Sequence, residues 1–298
     1  MLKTLVWEPA TLENVLRYAT YPLLAPSADY AAANLYLWDE TYHQELAFYE
    51  KRAAGRILEE DGSYRYLYPV GEGEISPIFR ALYAEARELG FPLRFVGVSE
   101  PEMPALLAEW GEENLEITET REWEDYLYEA EKLATLSGKK LHGKRNHINA
   151  FSAAHEWYTL PLDAACFDAC RGILAAWRAG REEDTDDEEV AVERGFACYD
   201  ALGLEGLLLF ADGMPVAFTI GSSITPECFC VHFEKAIPGF EGAYPVINRE
   251  FVRALLQKHP ALRLINREDD VGLDNLRTAK LSYRPISLLK KFDVTVTV

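Results

Sequence analysis

The stretch Leu207-Leu-Leu-Phe-Ala-Asp-Gly-Met-Pro-Val-Ala-Phe-Thr-Ile220 predicts a β-hairpin more clearly than any other part of the chain predicts its structure. Two apolar runs flank Asp212-Gly213, and Asp-Gly is a preferred sequence for a two-residue turn between antiparallel strands. A further run, from Glu227 to Lys235, predicts the next strand. We therefore expect an antiparallel sheet in the second half of the chain.

The segments around the hairpin alternate between helical and extended patterns. Helical periodicity covers residues 163–179, and an acidic segment at 181–189 predicts a solvated loop that enters the next helix. After the third strand come a glycine loop at Gly239 and Gly242, a helix at 244–258, a strand at 262–266, a helix near 274–283 and terminal β structure at 286–298. This order is that of an acyltransferase domain of the GNAT type, and other strand-rich α+β folds share it.

The first half of the chain shows a similar alternation. Its predicted strands lie at 64–70, 93–98 and 115–118, and its predicted helices at 79–89, 104–110 and 122–136. In the last of these, Trp123, Leu127, Ala130 and Ala134 would form the inner face. The sequence thus predicts an α/β protein with mixed sheets in both halves.

The composition is that of a globular protein. A length of 298 residues favours about two domains or one large α/β domain. With 49% hydrophobic residues the chain can build sizeable cores, yet no apolar run approaches the ~18 residues of a membrane span. The segment Met1–Pro9 meets a charge and a proline too soon for a signal peptide. We expect a cytoplasmic protein.

The net charge of −19 argues against general nucleic-acid binding, which requires Lys and Arg to neutralise phosphates. It does not exclude a local basic cleft. The five cysteines are odd in number, and since no secretion signal is present, we expect reduced thiols.

One basic stretch, Lys139-Lys-Leu-His-Gly-Lys-Arg-Asn-His-Ile-Asn-Ala-Phe151, stands out in this acidic chain. In a helix, Lys140, Lys144 and His147 would share one face. Cations placed side by side repel one another, so we expect Lys140, Lys144 and Arg145 to face a cleft with a bound anion or an acidic partner. The alternative is a solvated charged surface or a salt-bridge cluster.

The strand Cys228-Phe-Cys-Val-His-Phe-Glu234 carries polar groups at every second position. Cys228, Cys230, His232 and Glu234 would share one face, about 6.5 to 7 Å apart, so at most two of them could reach one metal ion. We therefore predict no metal site. His232 and Glu234 would lie near the carboxyl end of the strand, where ligands of α/β sheets bind. A nucleophilic cysteine with His232 as its base is a second option.

A third polar region begins with Asn266-Arg-Glu-Asp-Asp-Val-Gly272 and continues to Pro285. Its acids could cap the next helix, pair with the basic stretch or bind a substrate amine, and the sequence leaves these options open. Arg277, Lys280 and Arg284 would form a basic helix face.

Several motifs together resemble a bacterial family grouped with the C-terminal domains of phosphatidylglycerol lysyltransferase. They are GKKLHGKRNHINAF (138–151), DYLY (125–128), HFEKA (232–236), GAYPVINREF (242–251) and INREDDVGLDNLRTAKLSYRP (265–285). The resemblance spans essentially the whole chain. It implies two tandem GNAT-like domains related to transferases that take aminoacyl groups from tRNA.

The chain departs from this pattern in three respects. The 298 residues do not include the multi-pass membrane half of the lysyltransferases, and this weakens the expectation of a lipid substrate. The loop that binds pyrophosphate in GNAT enzymes is matched only in part, around Gly239, Gly242 and Ala243. This weakens the expectation that coenzyme A carries the donor group. Tyr283 resembles the general acid of many GNAT enzymes, but its spacing from Asn275 is one residue longer.

We therefore expect two tandem GNAT-like acyltransferase domains, at residues 1–145 and 146–298. The expected function is transfer of an activated acyl or aminoacyl group to an amine or hydroxyl acceptor, with acyl-CoA or aminoacyl-tRNA as the donor and tRNA held by the basic cleft. Glu234 or Asp269 would serve as base or amine-binding group and Tyr283 as acid. The predicted binding residues are Lys140, Lys144, Arg145, Asn146, His232, Gly242, Asn266, Glu268 and Lys280. The alternative is a small-molecule or anion-binding protein without turnover.

Overall fold

The computed structural model describes residues 4–179 and 186–298. The chain forms two compact units: unit 1 contains residues 1–125 and 289–298, and unit 2 contains residues 126–288. Residues 181–185 of the predicted acidic loop lie outside the described residues, while 186–189 form the first turn of a helix. In the described part of the chain, no helix has the length and apolar character needed to cross a membrane.

Unit 1 is built on a mixed sheet. Its strands are β1 (Trp7–Pro9), β2 (Gln44–Tyr49), β3 (Arg52–Leu58), β4 (Tyr64–Leu67), β5 (Val70–Gly71), β6 (Arg94–Ser99), β7 (Leu115–Glu119) and β15 (Lys291–Val296), in the order β1-β2-β3-β4-β6-β15-β7 with β5 paired to β3. Its helices are α1 (Leu12–Tyr18), α2 (Ala32–Leu37), α3 (Asp39–Tyr42), α4 (Ser76–Leu89) and α5 (Met103–Trp110). Strands β4 and β6 run parallel.

Unit 2 contains the second mixed sheet. Its strands are β8 (Asp125–Glu129), β9 (Trp157–Pro161), β10 (Glu205–Ala211), β11 (Met214–Thr225), β12 (Cys228–Ala236), β13 (Leu264–Asn266) and β14 (Ser287–Leu289), in the order β14-β8-β13-β12-β11-β10-β9. Its helices are α6 (Ala130–Thr135), α7 (His142–Ala154), α8 (Phe167–Arg178), α9 (Asp186–Ala197), α10 (Ala243–Lys258) and α11 (Asp274–Ser282).

The predicted hairpin and the strands around it are confirmed. Strands β10 and β11 pair antiparallel with Ala211 opposite Met214, so Asp212-Gly213 forms the turn. Both residues have positive φ, 52° and 80°, as a hairpin turn of this length requires. Strand β12 pairs antiparallel with β11 and parallel with β13, and these two strands lie where they were predicted, near 227–235 and 262–266.

The helix predicted at 122–136 is wrong in its first half. Residues 125–129 form strand β8, which pairs antiparallel with β13, and a helix begins only at Ala130. Tyr126 and Tyr128 are both buried, and their hydroxyl groups donate to Asp270 and to the Lys280 carbonyl oxygen. Aromatic residues at alternate positions favour a strand, and that period-two signal outweighs the helical spacing.

Because of strand β8, the boundary between the two units also differs from the predicted one. The division was expected after residue 145, whereas unit 2 begins at Tyr126 because β8, α6 and α7 contribute to its core. The C-terminal β structure divides as well. Strand β14 belongs to the sheet of unit 2, while β15 pairs with β6 and β7 in unit 1.

Candidate functional site

The candidate site lies in unit 2, where the parallel strands β12 and β13 part. Their pairing runs from Cys228 opposite Leu264 to Cys230 opposite Asn266. Beyond this point β12 continues to Ala236 without β13 beside it. We call this gap the β12/β13 opening. An opening at the carboxyl ends of parallel strands is where α/β proteins bind ligands.

A β-bulge lies in β12 at the opening. Ile220 of β11 is opposite Phe233 and the next residue, Gly221, is opposite Val231, so His232 is the extra residue. A bulge interrupts the alternation of side chains between the two faces of a strand. The prediction that Cys228, Cys230, His232 and Glu234 share one face is therefore wrong at the bulge, and His232 and Glu234 contact different groups.

The first group, which we call the Lys144 cluster, contains Lys144, Glu234, Arg267 and Tyr283. Arg267 Nη2 donates to Glu234 Oε1 at 2.8 Å, and the Glu234 and Arg267 side chains are only 7% and 12% exposed. Asn248 Nδ2 of α10 donates to the other Glu234 oxygen at 3.1 Å. The Tyr283 ring lies 3.9 Å from Lys144 Nζ and 4.9 Å from the Arg267 guanidinium carbon.

These surroundings shift the pKa values of Lys144 and Tyr283. Burial lowers the pKa of Lys144 to about 8; the positive charge of Arg267 lowers it further, and Glu234 acts in the opposite direction. Burial raises the pKa of Tyr283, against the influence of Arg267. Lys144 can therefore exchange a proton near neutral pH, whereas Tyr283 stays protonated there.

The second group, the His232 cluster, contains Ser222, Cys230, His232 and Glu268. His232 Nδ1 lies 2.9 Å from Glu268 Oε1, and His232 Nε2 lies 2.8 Å from Ser222 Oγ. An ionised carboxylate only accepts hydrogen bonds, so with Glu268 ionised the Nδ1–H group would donate to it, and in the neutral imidazole Nε2 would accept from the Ser222 hydroxyl. The buried imidazole is thus held at both nitrogen atoms.

Three side chains of the His232 cluster could also offer metal ligands. One ligand atom each from Cys230, His232 and Glu268 lies within 4.8 Å of the others. Two come from β12, the maximum expected, and Glu268 comes from the loop after β13. Zinc takes such N, S and O ligands but usually four of them, so a fourth ligand would have to join. That the protein needs no metal stays a prediction.

Of the basic stretch, only Lys144 belongs to either cluster. Lys140, Asn146 and His147 are exposed. Arg145 donates to the carbonyl oxygen atoms of Leu136 and Gly138, which fixes the turn before α7. The expectation of a common inward face is therefore wrong for Lys140 and Arg145. Its physical reason is that Arg145 satisfies carbonyl groups at the end of α6.

The acids after β13 have separate partners. Asp270 is fully buried and accepts two hydrogen bonds from Arg277, at 3.0 and 2.9 Å, and one from Tyr126 at 2.6 Å. Burial opposes its ionisation, but these bonds outweigh it and lower the pKa of Asp270 to about 2. Asp269 accepts from the Val271 N–H, as a capping residue does. Asp270 thus pairs with Arg277, which lies outside the basic stretch, and Asp269 caps its own turn.

Two other predicted binding residues hold this loop in place. Lys280 Nζ donates to the carbonyl oxygens of Arg267, at 2.6 Å, and Asp269. Asn266 Oδ1 accepts from the Glu268 N–H at 2.7 Å. Both residues are buried, so they support the side chains of the neighbouring loop.

Gly242, the N-cap of α10, lies against helix α7. A Cβ atom there would be 2.7 Å from the His147 carbonyl oxygen and 3.0 Å from Phe151 Cβ. Its φ of 98° also favours glycine. This close approach of the two helices explains the glycine. A role of Gly242 in donor binding stays a prediction.

Sequence reasoning missed two residues of the clusters, Arg267 and Ser222, and also Asn248, which donates to Glu234. Arg267 follows the buried strand directly, as Asn266 does, and that position was the available signal. Asn248 is a polar residue in an otherwise apolar face of α10, where the buried positions include Val246, Ile247 and Phe251. For Ser222 the signal is absent, because its contact depends on the register of β11 and β12.

Three solved structures share this architecture. A conserved protein of unknown function from Bacteroides thetaiotaomicron is 31% identical, with a TM-score of 0.92 over 98% of this chain and 100% of that one. The C-terminal domain of a putative lysylphosphatidylglycerol synthetase from Agrobacterium fabrum is 16% identical, with a TM-score of 0.68 over 96% and 92%. A tandem GNAT protein from the clavulanic acid biosynthesis pathway is 13% identical, with a TM-score of 0.51 over 98% of each chain.

The fold is therefore a tandem GNAT-like fold with two mixed α/β sheets. An uncharacterized protein of Mycoplasmoides gallisepticum is 27% identical over 183 residues, which are 58% of this chain and only 56% of that protein. The family model for the C-terminal region of phosphatidylglycerol lysyltransferase matches residues 21–295. The chain belongs to this family, as its motifs predicted.

Proposed function

We propose that this protein transfers an acyl or aminoacyl group from an activated donor to an amine or hydroxyl acceptor at the β12/β13 opening. One observation carries the proposal. Lys144 Nζ is held 3.9 Å from the Tyr283 ring, beside the Glu234–Arg267 ion pair, with its pKa lowered to about 8. A shifted lysine in a cluster of fixed charges is a marker of functional sites.

The chemistry of acyl transfer suits this lysine. When an amine or hydroxyl attacks the donor carbonyl, negative charge develops on the carbonyl oxygen and then on the leaving oxygen. A half-buried ammonium group stabilises that charge more strongly than water does. With a pKa of about 8, Lys144 can also give its proton to the leaving oxygen near neutral pH, and it is then reprotonated by the proton that the attacking amine or hydroxyl group loses. We assign these two roles to Lys144.

The neighbouring residues then act as supports. Glu234, first considered as a base, has one oxygen on Arg267 and the other on Asn248. That arrangement favours a role in placing Arg267 beside the Tyr283 ring. Tyr283 would hold the Lys144 ammonium group by a cation–π contact, and its hydroxyl group would donate a hydrogen bond to the substrate. Asp269 is engaged in capping its loop, and we give it no catalytic role.

We favour an aminoacyl-tRNA donor over acyl-CoA. Pyrophosphate groups bind to free N–H groups at helix N-termini. At the start of α10, however, Pro245 has no N–H, and the N–H groups of Ala243 and Val246 donate to the carbonyl oxygens of Phe240 and Gly242. The exposed Lys139 and Lys140 just before α7 offer cations for a tRNA backbone.

The family supports the same class of reaction. Its name describes lysyl transfer to phosphatidylglycerol. We extend aminoacyl transfer to this chain. The acceptor is an amine or a hydroxyl group, either of a soluble molecule or of a lipid headgroup. A cytoplasmic location stays a prediction.

The test compares Lys144 with an exposed lysine outside the basic stretch. Purified full-length protein is incubated with lysyl-tRNA, alanyl-tRNA or acetyl-CoA, and with phosphatidylglycerol vesicles or a soluble primary amine as acceptor. Lys144→Met should lower the transfer rate about a hundredfold or more, because it removes a cation that acts in the transition state. Lys132→Met, with equal loss of charge on an exposed residue of α6, should retain the unsubstituted rate.

The pH profile provides a second readout. If protonated Lys144 is required, the unsubstituted rate falls as pH rises through about 8, and this limb is absent in the residual activity of Lys144→Met. Binding of one donor without transfer to any acceptor would instead favour the alternative, a binding protein on the same scaffold. Equal loss of activity in both variants would argue against the assigned role of Lys144.

A further inference from the structure

Unit 1 has an opening of its own between parallel strands. Strands β4 and β6 pair at Tyr66–Phe95 and Leu67–Val96, and then the chain leaves β4 through Tyr68 and Pro69. A cavity of about 110 Å³ lies at this point, lined by residues after β4, by Glu102 after β6 and by Arg52 of β3. It therefore occupies the same position in the unit 1 sheet as the β12/β13 opening does in unit 2.

Arg52 brings a positive charge to this cavity. Its guanidinium donates to the carbonyl oxygens of Pro69, Gly73 and Glu74, which leave two of its five N–H donors. Within residues 4–179 and 186–298, its bonding partners are these carbonyl groups and include no carboxylate. The carbonyl groups fix the direction of the guanidinium but do not neutralise it.

Glu102 brings a carboxyl group to the same cavity. It is 1% exposed, and its Oε2 accepts from the Ser99 N–H at 2.7 Å and from the Tyr30 hydroxyl at 3.3 Å. Both bonds go to the same oxygen. Although Glu102 and Arg52 line one small cavity, the hydrogen bonds of Arg52 among the described residues go to carbonyl oxygens and those of Glu102 come from Ser99 and Tyr30. The two opposite charges are thus presented to the cavity separately.

Two further observations show that this environment is incompletely satisfied. Burial raises the pKa of Glu102 to about 7, despite the hydrogen bonds from Ser99 and Tyr30. The hydroxyl group of Tyr18, which is fully buried, has no hydrogen-bond partner within the described residues. Tyr18 is close enough to Glu102 to feel its charge. Buried polar groups without partners are rare and point to a missing water or ligand.

The remaining wall of the cavity is Leu24, Val70 and Tyr68. Tyr68 lies near both charged residues, since its pKa is raised by burial and by Glu102 and lowered by Arg52. The space is thus narrow, apolar on one side, and has one cationic and one acidic group. A ligand that fills it must satisfy both.

From this arrangement we propose that the β4/β6 cavity of unit 1 binds a small zwitterion, of the size of glycine or alanine. Its carboxylate would lie on the two remaining N–H donors of Arg52, and its ammonium group would lie on Oε1 of Glu102. An Arg–carboxylate contact of this kind can be bidentate. This binding site is separate from the transfer reaction proposed for unit 2 and does not depend on it.

The chemistry separates a zwitterion from simpler ligands. A monocarboxylate such as acetate would satisfy Arg52 alone, and an amine such as methylamine would satisfy Glu102 alone. Each would leave either the half-buried Arg52 or the buried Glu102 without its partner, which costs binding free energy. Glycine should therefore bind at least about tenfold more tightly than acetate or methylamine, a difference of roughly 1.4 kcal/mol.

The test is calorimetric titration of the full chain with glycine, alanine, acetate and methylamine, each to about ten times a millimolar dissociation constant. Arg52→Gln and Glu102→Gln should each weaken glycine binding at least about tenfold. Arg87→Gln, on the exposed side of α4, is the matched control and should bind glycine as the unsubstituted protein does.

An additional variant tests the proposal even if Arg52→Gln and Glu102→Gln fail to fold. Leu24 is 64% exposed and lines the cavity, so Leu24→Trp should fold, leave Arg52 and Glu102 in place and fill the space. It should abolish glycine binding with an unchanged circular dichroism spectrum. Acetate binding as tight as glycine, no binding of either amino acid, or glycine binding that survives Leu24→Trp would each overturn the proposal.

Discussion

The openings of the two sheets use the same backbone arrangement with different electrostatics. In each unit two parallel strands part, at Leu67 and Val96 in unit 1 and at Cys230 and Asn266 in unit 2. In unit 2 the buried carboxylate, Glu234, is paired with Arg267. In unit 1 Glu102 is held only by neutral donors, Ser99 and Tyr30, among the described residues.

The presence or absence of a neighbouring cation affects how readily a buried carboxyl group ionises. A cation within contact distance favours ionisation of a buried acid, whereas burial without a cation favours the protonated form. The pKa of Glu102 is accordingly raised to about 7. Replacing a carboxylate by its amide should therefore have opposite effects on stability in the two openings, and this contrast can be tested.

The largest effect is expected for Glu234→Gln in unit 2. The substitution leaves the Arg267 guanidinium buried without its counter-charge, and breaking such a pair costs about 3–5 kcal/mol. Urea unfolding at pH 7 measures the loss. Glu241→Gln, an exposed neighbour, is the control and should change the unfolding free energy by no more than about 0.5 kcal/mol. A small loss for Glu234→Gln would mean that Arg267 is solvated and the pairing is unimportant.

Glu102→Gln in unit 1 should be stabilising at alkaline pH. The folded protein holds the Glu102 proton up to a pKa of about 7, whereas the unfolded chain releases it near 4.5. Stability of the unsubstituted protein therefore falls as pH rises from about 4.5 to 7 and is then level. The amide removes this loss, so the variant should gain up to about 3 kcal/mol at pH 8 and nothing at pH 4.

The measurement is urea unfolding of both proteins across this pH range. Glu100→Gln, an exposed carboxylate two residues away, should leave the pH dependence unchanged. A Glu102→Gln variant that is equally destabilised at pH 4 and pH 8 would show that the carboxyl group is ionised and paired, as in unit 2.

Ser222→Ala should have an intermediate effect. The substitution removes the hydroxyl group 2.8 Å from His232 Nε2 and leaves a buried nitrogen without its partner, at a cost of about 1–2 kcal/mol. Ser223→Ala changes the next, exposed residue of β11 and should have little effect. If the two variants have equal unfolding free energies, the imidazole is not held from this side.

The smallest effects distinguish the residues of the basic stretch. Arg145→Gln loses hydrogen bonds to two carbonyl groups and should cost about 1 kcal/mol. Lys140→Gln is a change on an exposed side chain and should stay within about 0.5 kcal/mol. Thermal unfolding of the two variants side by side measures the difference. Equal melting temperatures would mean that the Arg145 side chain, like that of Lys140, contributes little to stability.

The sequence predicted those elements whose signal is local. The hairpin at 205–225, strand β12 and helix α10 follow from turn residues and from the period of apolar residues, and all three are present. The family motifs extended this to the tandem fold. The Lys144 cluster was predicted in part, because Lys144, Glu234 and Tyr283 lie in three of those motifs.

What the sequence did not predict depends on pairing between distant strands. Strand β8 was assigned to a helix because its short apolar pattern fits both periods, and only pairing with β13 decides between them. The bulge at His232 depends on the register between β11 and β12. Neither Glu102 nor Arg52 was singled out, since a charged residue that ends up buried has no local mark in the sequence.

The position of β15 has a consequence for biosynthesis. This strand lies between β6 and β7, so the sheet of unit 1 has a gap until residues 291–296 are in place. A ribosome makes the chain in order, and domains often fold as they emerge. Here the whole of unit 2 is synthesised before the last strand of unit 1 exists. Unit 1 therefore remains incomplete, with the edges of β6 and β7 that pair with β15 open to wrong partners, until residues 291–296 have been synthesised.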